Sequence, residues 1–354
     1  MSLSIFAFSS TGYQTALRVA AALGAAQAVI YLPERLLNAV ECDAKGEFAA
    51  TSAAVLPQRQ PQTSRSVAAA FFAAVPLIFV GATGIAVRKI APYVRDKRTD
   101  PPVLCLDERA NFVIPLLSGH IGGANALAVR LADALGATAV VTTATDVNGK
   151  FSVDTWASTH DCAISDMVLA KEVSAAILEH SVPICSAFRC GSPLPDGLVA
   201  GDAGELGISI GYTMAAPFTH TLRLIPRVLR VGVGCRRGIP QENISDAISS
   251  VFLENNLDIR AISGIFSIDL KKDEPGLLAL CAAHGWPLTF YSAAQLQAVE
   301  GKFESSAFVQ SVTGVDNVCE RAALLGADKL LVRKTAKHGV TVAVAVETWE
   351  VDFG

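Results

Sequence analysis

The chain alternates short, wholly apolar runs with segments of helical period, and turns that contain glycine separate the two. Apolar runs of buried-strand type occupy residues 3–8, 28–31, 76–80 and 103–106, and residues 124–135 place Ala and Leu on one face of a helix. Strands that are apolar along their whole length need cover on both faces, which helices supply in a parallel sheet. The sequence therefore predicts an α/β fold built on parallel sheets.

This alternation weakens in the middle of the chain and starts again near residue 228, where a strand, a glycine loop and a helix opened by Pro240 follow one another. The 354 residues are enough for two or three domains. We predict a parallel-sheet N-terminal domain (1–146), a small α/β middle or linker domain (147–227) and a separate α/β C-terminal domain (228–354).

One apolar window raises the question of a membrane span. Residues 66–87 carry no charged side chain over 22 positions, which is long enough to cross a bilayer. Pro76, Gly81 and Gly84 would break a single helix there, so the window is better read as a helix, a strand and a glycine loop. The first residues lack the features of a signal peptide, so we expect a soluble, cytoplasmic protein without a membrane partner.

Charge and cysteine usage narrow the class of partner. The formal net charge of −4 argues against a nucleic-acid partner. The eight cysteines are scattered, with no C-x-x-C pair, which is typical of reduced and mostly buried thiols in a cytosolic protein. We therefore expect a small-molecule partner and no metal bound by the protein.

Three glycine-rich turns follow predicted strands: residues 81–84, 118–125 and 232–238. A glycine turn between a strand and a helix lets backbone N–H groups converge on an anion, and open α/β sheets bind ligands where their strands end. We therefore expect all three turns at the ligand-binding edges of sheets. The alternative for any one of them is a tight turn with no ligand.

Two other patterns suggest well-known sites but depart from them. The third turn has the spacing G-x-G-x-x-x-G, with Arg237 where a dinucleotide-binding loop needs its last glycine. Residues 207–211 match the G-x-S-x-G of hydrolases, but no helix follows and the flanks alternate as in an ordinary strand. The sequence favours neither a nicotinamide site nor a serine nucleophile.

His120 lies inside the second turn, where an imidazole can exchange protons near neutral pH or can brace the loop by a structural hydrogen bond. Glu108 and Asp146 each follow an apolar run, so we expect their carboxylates at the same sheet edge as His120. They could orient the histidine or activate water, or they could be helix caps. Arg88 and Lys97 follow the first turn and are candidates for binding carboxylates or for a solvated helix face.

Together these residues resemble the CbiG family, the cobalt-precorrin-5A hydrolases of anaerobic cobalamin biosynthesis. The C-terminal part resembles that family's own C-terminal domain, which is shared with a corrin-pathway protein of the aerobic route. The pieces that carry the resemblance are residues 81–88, Lys97 with Asp100, 117–125, 142–146, 232–236, 267–271 with Glu274, Gly314 and Glu320.

The resemblance implies a reaction as well as a fold. Water opens the lactone of cobalt-precorrin-5A, and the exposed two-carbon arm then leaves as acetaldehyde to give cobalt-precorrin-5B. Cobalt is part of this substrate, so the resemblance implies no cofactor held by the protein. Other enzymes of the cobalamin pathway are further candidate partners.

Ester hydrolysis needs a base for water and donors for the oxyanion. From the placement of the loop and the resemblance together, we hypothesise that His120 is the base, that Asp146 or Glu108 is its helper, and that the loop amides with Asn125 are oxyanion donors. The residues expected to bind the carboxylate-rich substrate are Gly81, Thr83, Gly84, Arg88, Lys97, Ser118, Gly119, Gly122, Gly123, Asn125, Thr142, Thr143, Gly234, Arg236, Lys271 and Glu320.

Two other functions remain open at this point. The chain could be a non-catalytic protein that binds and transfers corrinoid intermediates of the same pathway. It could also be a nucleotide-dependent α/β enzyme, which the missing Walker and dinucleotide spacings disfavour.

Overall fold

The computed structural model describes residues 2–24, 27–43, 57–96, 99–119, 122–305 and 307–353. The chain forms two compact units, Met1–Thr155 and Trp156–Gly354. Both units combine helices with mostly parallel sheets, which confirms the α/β prediction.

The first unit is built on a seven-stranded sheet. Its strands are β1 (Ser2–Ala7), β2 (Gln27–Leu32), β3 (Gln58–Pro61), β4 (Leu77–Val80), β5 (Val103–Leu106), β6 (Phe112–Leu117) and β7 (Thr138–Ala139), in the order β3-β2-β1-β4-β5-β6-β7. Its helices are α1 (Ser10–Ala22), α2 (Glu34–Asp43), α3 (Ser64–Phe72), α4 (Thr83–Ile90), α5 (Ala124–Leu135) and α6 (Ala144–Val147).

Helices on both faces explain why the central strands β4 and β5 are apolar along their whole length. On one face, Leu3 and Ile5 of β1 pack with buried side chains of α1 and α5. On the other face, Phe6 packs with buried side chains of α3 and α4, and its ring stacks on Phe79 at 4.9 Å between centroids. Neighbouring residues of one strand thus face two separate apolar cores, as expected for a doubly covered sheet.

The uncharged window at residues 66–87 consists of α3, β4, a glycine turn and the start of α4, as predicted. Within the described parts of the chain, no helix is long and apolar enough to cross a membrane.

The strand β6 runs in the direction opposite to strands β1 to β5, so the sheet is not uniformly parallel. Strands β1 to β5 are parallel to one another, but β6 pairs antiparallel with β5, with Val103 opposite Leu117, and β7 is parallel to β6. Only residues 107–111 connect β5 to β6, whereas a parallel crossover needs a dozen or more. The short connection therefore forces a hairpin.

The second unit contains two five-stranded sheets. The first has β8 (Cys162–Ile164), β9 (Val182–Ser186), β10 (Leu198–Ala200), β11 (Leu206–Ile210) and β12 (His220–Pro226), in the order β10-β9-β11-β12-β8. The second has β13 (Leu229–Cys235), β14 (Ile262–Ile268), β15 (Leu288–Tyr291), β16 (Lys329–Lys337) and β17 (Val340–Val346), in the order β15-β14-β13-β17-β16. The helices here are α7 (Val153–Thr159, across the unit boundary), α8 (Met167–Glu179), α9 (Gln241–Glu254), α10 (Pro275–His284), α11 (Ala293–Gln297), α12 (Ala307–Thr313) and α13 (Val318–Leu324).

Asp258 joins the two sheets of the second unit. Its Oδ2 accepts a hydrogen bond from Nη1 of Arg223 on β12 at 2.8 Å and one from Nη2 of Arg260 at 2.7 Å. Burial alone would raise the pKa of Asp258, but hydrogen bonds and charge from the two arginines outweigh it and hold the pKa below its usual range. The three sheets thus lie in two compact units, and the predicted domain boundaries at 146 and 227 stay predictions.

The G-x-S-x-G match at residues 207–211 lies largely in β11, which pairs parallel with β12 and β9. The prediction of an ordinary strand at this place is confirmed.

Candidate functional site

The sheet of the first unit presents two edges that carry polar residues. We call the edge where β1, β4 and β5 end the Gly81 edge. We call the edge where these strands begin, and where the antiparallel β6 ends, the Ser118 edge.

At the Gly81 edge, the turn from β4 to α4 is anchored to the next strand. Gly81 has a φ of +155°, and its N–H donates to the carbonyl of Leu106 at 2.8 Å. The Cys105 Sγ lies 3.3 Å from the Gly81 carbonyl, and burial raises the pKa of this thiol despite a hydrogen bond with Thr83. Thr83 and Gly84 open α4 and are exposed.

Glu108 also lies at the Gly81 edge, where it accepts hydrogen bonds from residues at the start of α1, the helix that follows β1. Its Oε1 accepts a hydrogen bond from Ser9 Oγ at 2.6 Å, and its carbonyl accepts one from Thr15 Oγ1 at 2.6 Å. Ser9 Oγ in turn accepts from the N–H of Gly12 and caps α1. The described contacts of Glu108 therefore tie β5 to the start of α1.

The Ser118 edge holds a loop of unusual tightness. Ser118 has a φ of +57°, is buried, and donates its hydroxyl to the carbonyl of Asp100 at 2.7 Å. A Cβ on Gly122 would overlap Ser118 Cβ, and one on Gly119 would come within 2.7 Å of Asn125 Oδ1. Glycine is required at both places because other chain atoms occupy the space of a side chain.

Asn125 connects this loop to the segment after β7. Its backbone N–H donates to the Gly119 carbonyl at 2.9 Å, and its side-chain Nδ2 donates to Thr143 Oγ1 at 2.9 Å. Thr142 precedes this threonine and is exposed, and Gly123 caps α5 in the left-handed conformation with a φ of +78°. The predicted site residues Ser118, Gly119 and Asn125 are thus brought together with Thr143.

Two predicted site residues, His120 and Lys97, lie outside the described residues. The helix α6 begins directly after Thr143 and contains the backbone of Asp146. The side chain of Asp146 is not among those described.

The expectation that Glu108 shares a sheet edge with the Ser118 loop is wrong. The loop follows β6, which is antiparallel to β5, so it lies where β5 begins, while Glu108 lies where β5 ends. Four strand residues separate the two edges, a distance of about 13 Å at the usual rise of a strand. The Gly81 turn is likewise at the edge opposite the Ser118 loop.

Arg88 and Arg95 take different positions relative to these edges. Arg88 donates from Nη1 to the carbonyl of Gly84 at 3.2 Å, one turn back on its own helix. Arg95 was given no role by the sequence, yet its backbone N–H donates to Asp100 Oδ2 at 2.9 Å. Since Asp100 also accepts from Ser118, Arg95 belongs to the Ser118 edge.

In the second unit, β13 and β14 are parallel and end at one edge, which carries Arg236 and Lys271. Arg236 is exposed. Lys271 Nζ lies 3.4 Å from Oε2 of the buried Glu274, whose Oε1 accepts from the N–H of Gly238 at 2.6 Å. Burial raises the pKa of the nearby Cys235 thiol, opposed by the charge of Lys271 and reinforced by that of Glu274.

Packing accounts for two predicted glycines of this unit. A Cβ on Gly232 would overlap the carbonyl oxygen of Cys319, because α13 lies directly on β13. A Cβ on Gly234 would come within 2.6 Å of Thr341 Oγ1 on β17.

Glu320 is fully buried, so it presents no surface to a ligand. Its Oε1 accepts from the N–H of Lys334 at 2.8 Å, and its Oε2 accepts from Asn317 Nδ2 at 2.9 Å and from the N–H of Glu304 at 3.3 Å. These contacts hold α13 against β16 and the segment before α12.

The Ser118–Asp100 bond gives a first testable prediction. Ser118→Ala leaves a buried carbonyl without its donor, so we expect a loss of about 1–3 kcal/mol in local stability. Hydrogen exchange of residues 112–127, read by mass spectrometry, measures this loss. Ser2→Ala, which removes an exposed bond to Gln27, is the control and should change exchange by less than about 0.5 kcal/mol. Equal effects of both variants would contradict the assigned role of Ser118.

Comparison with known proteins reveals similarity along most of the chain. A family model described as cobalamin synthesis G N-terminal matches residues 65–146, and one described as cobalamin synthesis G C-terminus matches residues 229–345. The cobalt-precorrin-5A hydrolase of Salmonella typhimurium is 36% identical over 305 residues, which cover 78% of this chain and 83% of that protein. The enzyme of the same name from Priestia megaterium is 32% identical over 292 residues, with 76% and 78% covered.

A third relative is similar to one part only. The protein named CobE of a Sinorhizobium species is 31% identical over 121 residues, which cover 33% of this chain and 79% of that protein.

Proposed function

The chain belongs to the cobalamin synthesis G family of cobalt-precorrin-5A hydrolases, and from this we propose that it opens the lactone of cobalt-precorrin-5A and releases the two-carbon fragment as acetaldehyde. It is a hydrolase whose substrate is a small corrinoid of cobalamin biosynthesis. Cobalt is part of that substrate, and we propose that the protein supplies no cofactor of its own.

The proposed chemistry has two steps. A base takes a proton from water, the resulting hydroxide adds to the lactone carbonyl, and the ring C–O bond breaks to give a carboxylate and a hydroxyl. After the base has released its first proton to solvent, it takes the hydroxyl proton while the bond between the two-carbon arm and the macrocycle breaks. The electron pair of that bond passes into the conjugated macrocycle, and the arm leaves as an aldehyde.

One observation carries the assignment of this chemistry to the Ser118 edge. The described residues at the two ends of this loop are anchored by the Ser118–Asp100 and Asn125–Thr143 hydrogen bonds, and Gly119 and Gly122 stand where side chains would collide with other chain atoms. Donors that are fixed in advance stabilise a developing oxyanion because they need not reorganise during the reaction. We therefore propose that the oxyanion is bound by backbone N–H groups of this loop other than those of Ala124 and Asn125, which donate to the carbonyls of Ser118 and Gly119. Asn125 fixes the loop against Thr143.

His120 belongs to this loop by sequence and is the proposed base. Of the two candidate helpers, Asp146 is favoured because its helix begins directly after Thr143, the partner of Asn125. Glu108 is disfavoured because it lies at the opposite edge and accepts a hydrogen bond from Ser9.

The substrate carries several ionised acetate and propionate arms, which guanidinium groups bind well. Arg236 is an exposed candidate for one of them at the end of β13. Lys271 is a weaker candidate because Glu274 already partners its ammonium group.

The test is a direct assay of the purified protein with cobalt-precorrin-5A. We expect one acetaldehyde per substrate consumed, trapped by a reducing enzyme or as a hydrazone, over many turnovers. Tight binding of the substrate with no aldehyde would instead favour a carrier that transfers corrinoid intermediates and would refute the proposed reaction.

A further inference from the structure

An exposed aromatic surface lies beside the Ser118 edge. Phe72, at the end of α3, is 57% exposed, although it is a large apolar side chain. Its ring contacts that of Tyr93 edge-on, with 5.8 Å between centroids, and the guanidinium carbon of Arg95 lies 5.2 Å from its centroid. We call Phe72, Tyr93 and Arg95 the aromatic shelf.

The aromatic shelf lies at the same edge of the sheet as the Ser118 loop. α3 ends before β4 begins, and residues 93–95 precede β5, so all three residues lie where the parallel strands start. Asp100 links the shelf to the loop directly, since its Oδ2 accepts from the Arg95 N–H at 2.9 Å and its carbonyl accepts from Ser118 Oγ at 2.7 Å. Tyr93 and Leu117, the residue before Ser118, pack on the same apolar core.

A buried aromatic ring contacts two residues of the aromatic shelf. Phe71 is buried, and its ring lies 6.0 Å from that of Phe72 and 6.0 Å from that of Tyr93. A ring that is exposed yet fixed by aromatic neighbours keeps its position without a ligand, so stacking on it costs little conformational entropy.

The exposed phenyl ring of Phe72, with the Arg95 guanidinium over it, has a specific chemical complement. It fits a broad, nearly planar, conjugated ring that carries carboxylate arms at its rim, because the ring can stack on Phe72 while an arm reaches Arg95. The macrocycle of a cobalt corrinoid has this form. Its placement here would bring the lactone at its periphery toward the Ser118 loop.

We propose that the aromatic shelf is the subsite that binds the face of the corrin macrocycle, with Phe72 as the stacking residue and Arg95 as the partner of a carboxylate arm. This inference rests on the proposed function for the identity of the ligand, and it adds the residues that hold the ring.

The experiment compares variants by two readouts. Phe72→Ala is expected to raise the KM for cobalt-precorrin-5A by about tenfold, with kcat changed less than twofold. The dissociation constant should rise by a similar factor in equilibrium dialysis, measured with His120→Gln as the background so that the substrate is consumed only slowly. Phe72→Trp should restore binding because it keeps a flat π face. Arg95→Gln should also weaken binding, and the remaining affinity should depend less on salt than that of the wild type.

Phe112→Ala is the matched control. Phe112 is 49% exposed in the same unit, but it begins β6 and therefore lies at the Gly81 edge, so KM and the dissociation constant should stay at wild-type values. If circular dichroism shows that Phe72→Ala is misfolded, Phe72→Leu takes its place, with a severalfold loss of affinity expected. Wild-type affinity in a folded Phe72 variant, or equal losses at Phe72 and Phe112, would overturn the proposal.

The two proposals fail in distinguishable ways. If the wild type binds cobalt-precorrin-5A but releases no acetaldehyde, the proposed reaction is wrong, and the dialysis comparison still decides on the shelf. If the wild type releases acetaldehyde and the Phe72 variants bind as it does, only the shelf is wrong. If the wild type does not bind the compound at all, both are overturned.

Discussion

His120→Gln is expected to slow acetaldehyde release from cobalt-precorrin-5A by a factor of about 10²–10⁴, the usual contribution of a general base. Binding should be affected much less, since the shelf and the loop glycines stay in place. Steady-state release of acetaldehyde gives kcat, and equilibrium dialysis gives the dissociation constant. His180→Gln, at the exposed end of α8, is the control and should behave as the wild type.

Chemical rescue distinguishes a catalytic role of His120 as the base from a structural role in supporting the loop. If His120 only supports the loop, its loss should lower local stability, and added imidazole should have no effect. If it is the base, free imidazole should restore part of the rate of a His120→Gly variant. A wild-type rate in His120→Gln would remove this residue from the mechanism.

The same assay ranks the two carboxylates. Asp146→Asn is expected to lower kcat by at least tenfold, and Glu108→Gln to lower it much less, because the Glu108 side chain is bonded to Ser9 at the other sheet edge. The reverse order would place the chemistry at the Gly81 edge.

The second large effect concerns stability. Gly232→Ala would drive a methyl group into the Cys319 carbonyl and to within 2.8 Å of the Ala323 amide nitrogen, and neither is the movable end of a side chain. Separating α13 from β13 to make room should cost about 3 kcal/mol or more of unfolding free energy. All three tryptophans, at 156, 286 and 349, belong to the second unit, so their fluorescence in urea reports the unfolding of that unit.

Gly191→Ala is the matched control in the same unit. The nearest atom to its new methyl would be Glu350 Oε2 at 3.5 Å, an ordinary contact, and the backbone there is not left-handed. Its urea midpoint should stay near that of the wild type. A similar midpoint for Gly232→Ala would show that α13 can move off the sheet at little cost.

Much of the fold follows from local patterns. The strand at residues 103–106 and the helix at 124–135 have the predicted bounds, because a wholly apolar run and a one-sided Ala/Leu stripe each identify their element without reference to the rest of the chain. The strand β14 was not predicted, although its residues Ile262–Ile268 are mostly apolar.

The candidate site was only partly predictable. The glycine loop and Asn125 were identified by residue type, and the structure brings them together with Thr143. Asp100 and Ser9 received no role because their importance lies in the partners they meet, which are far away in the sequence. Phe72 was hidden in an alanine-rich segment that predicts only a helix.

The sequence by itself determined the kind of most elements of the first unit, the double cover of its central strands and the glycines of the Ser118 loop, because each depends on neighbouring residues alone. Only the tertiary structure decided that Glu108 and the Ser118 loop lie at opposite edges, since this depends on the direction in which β6 pairs with β5. Hydrophobic periodicity is the same for both directions of a strand. The five-residue connection between the strands was the one local signal of that direction, and it acts through the geometry of chain reversal.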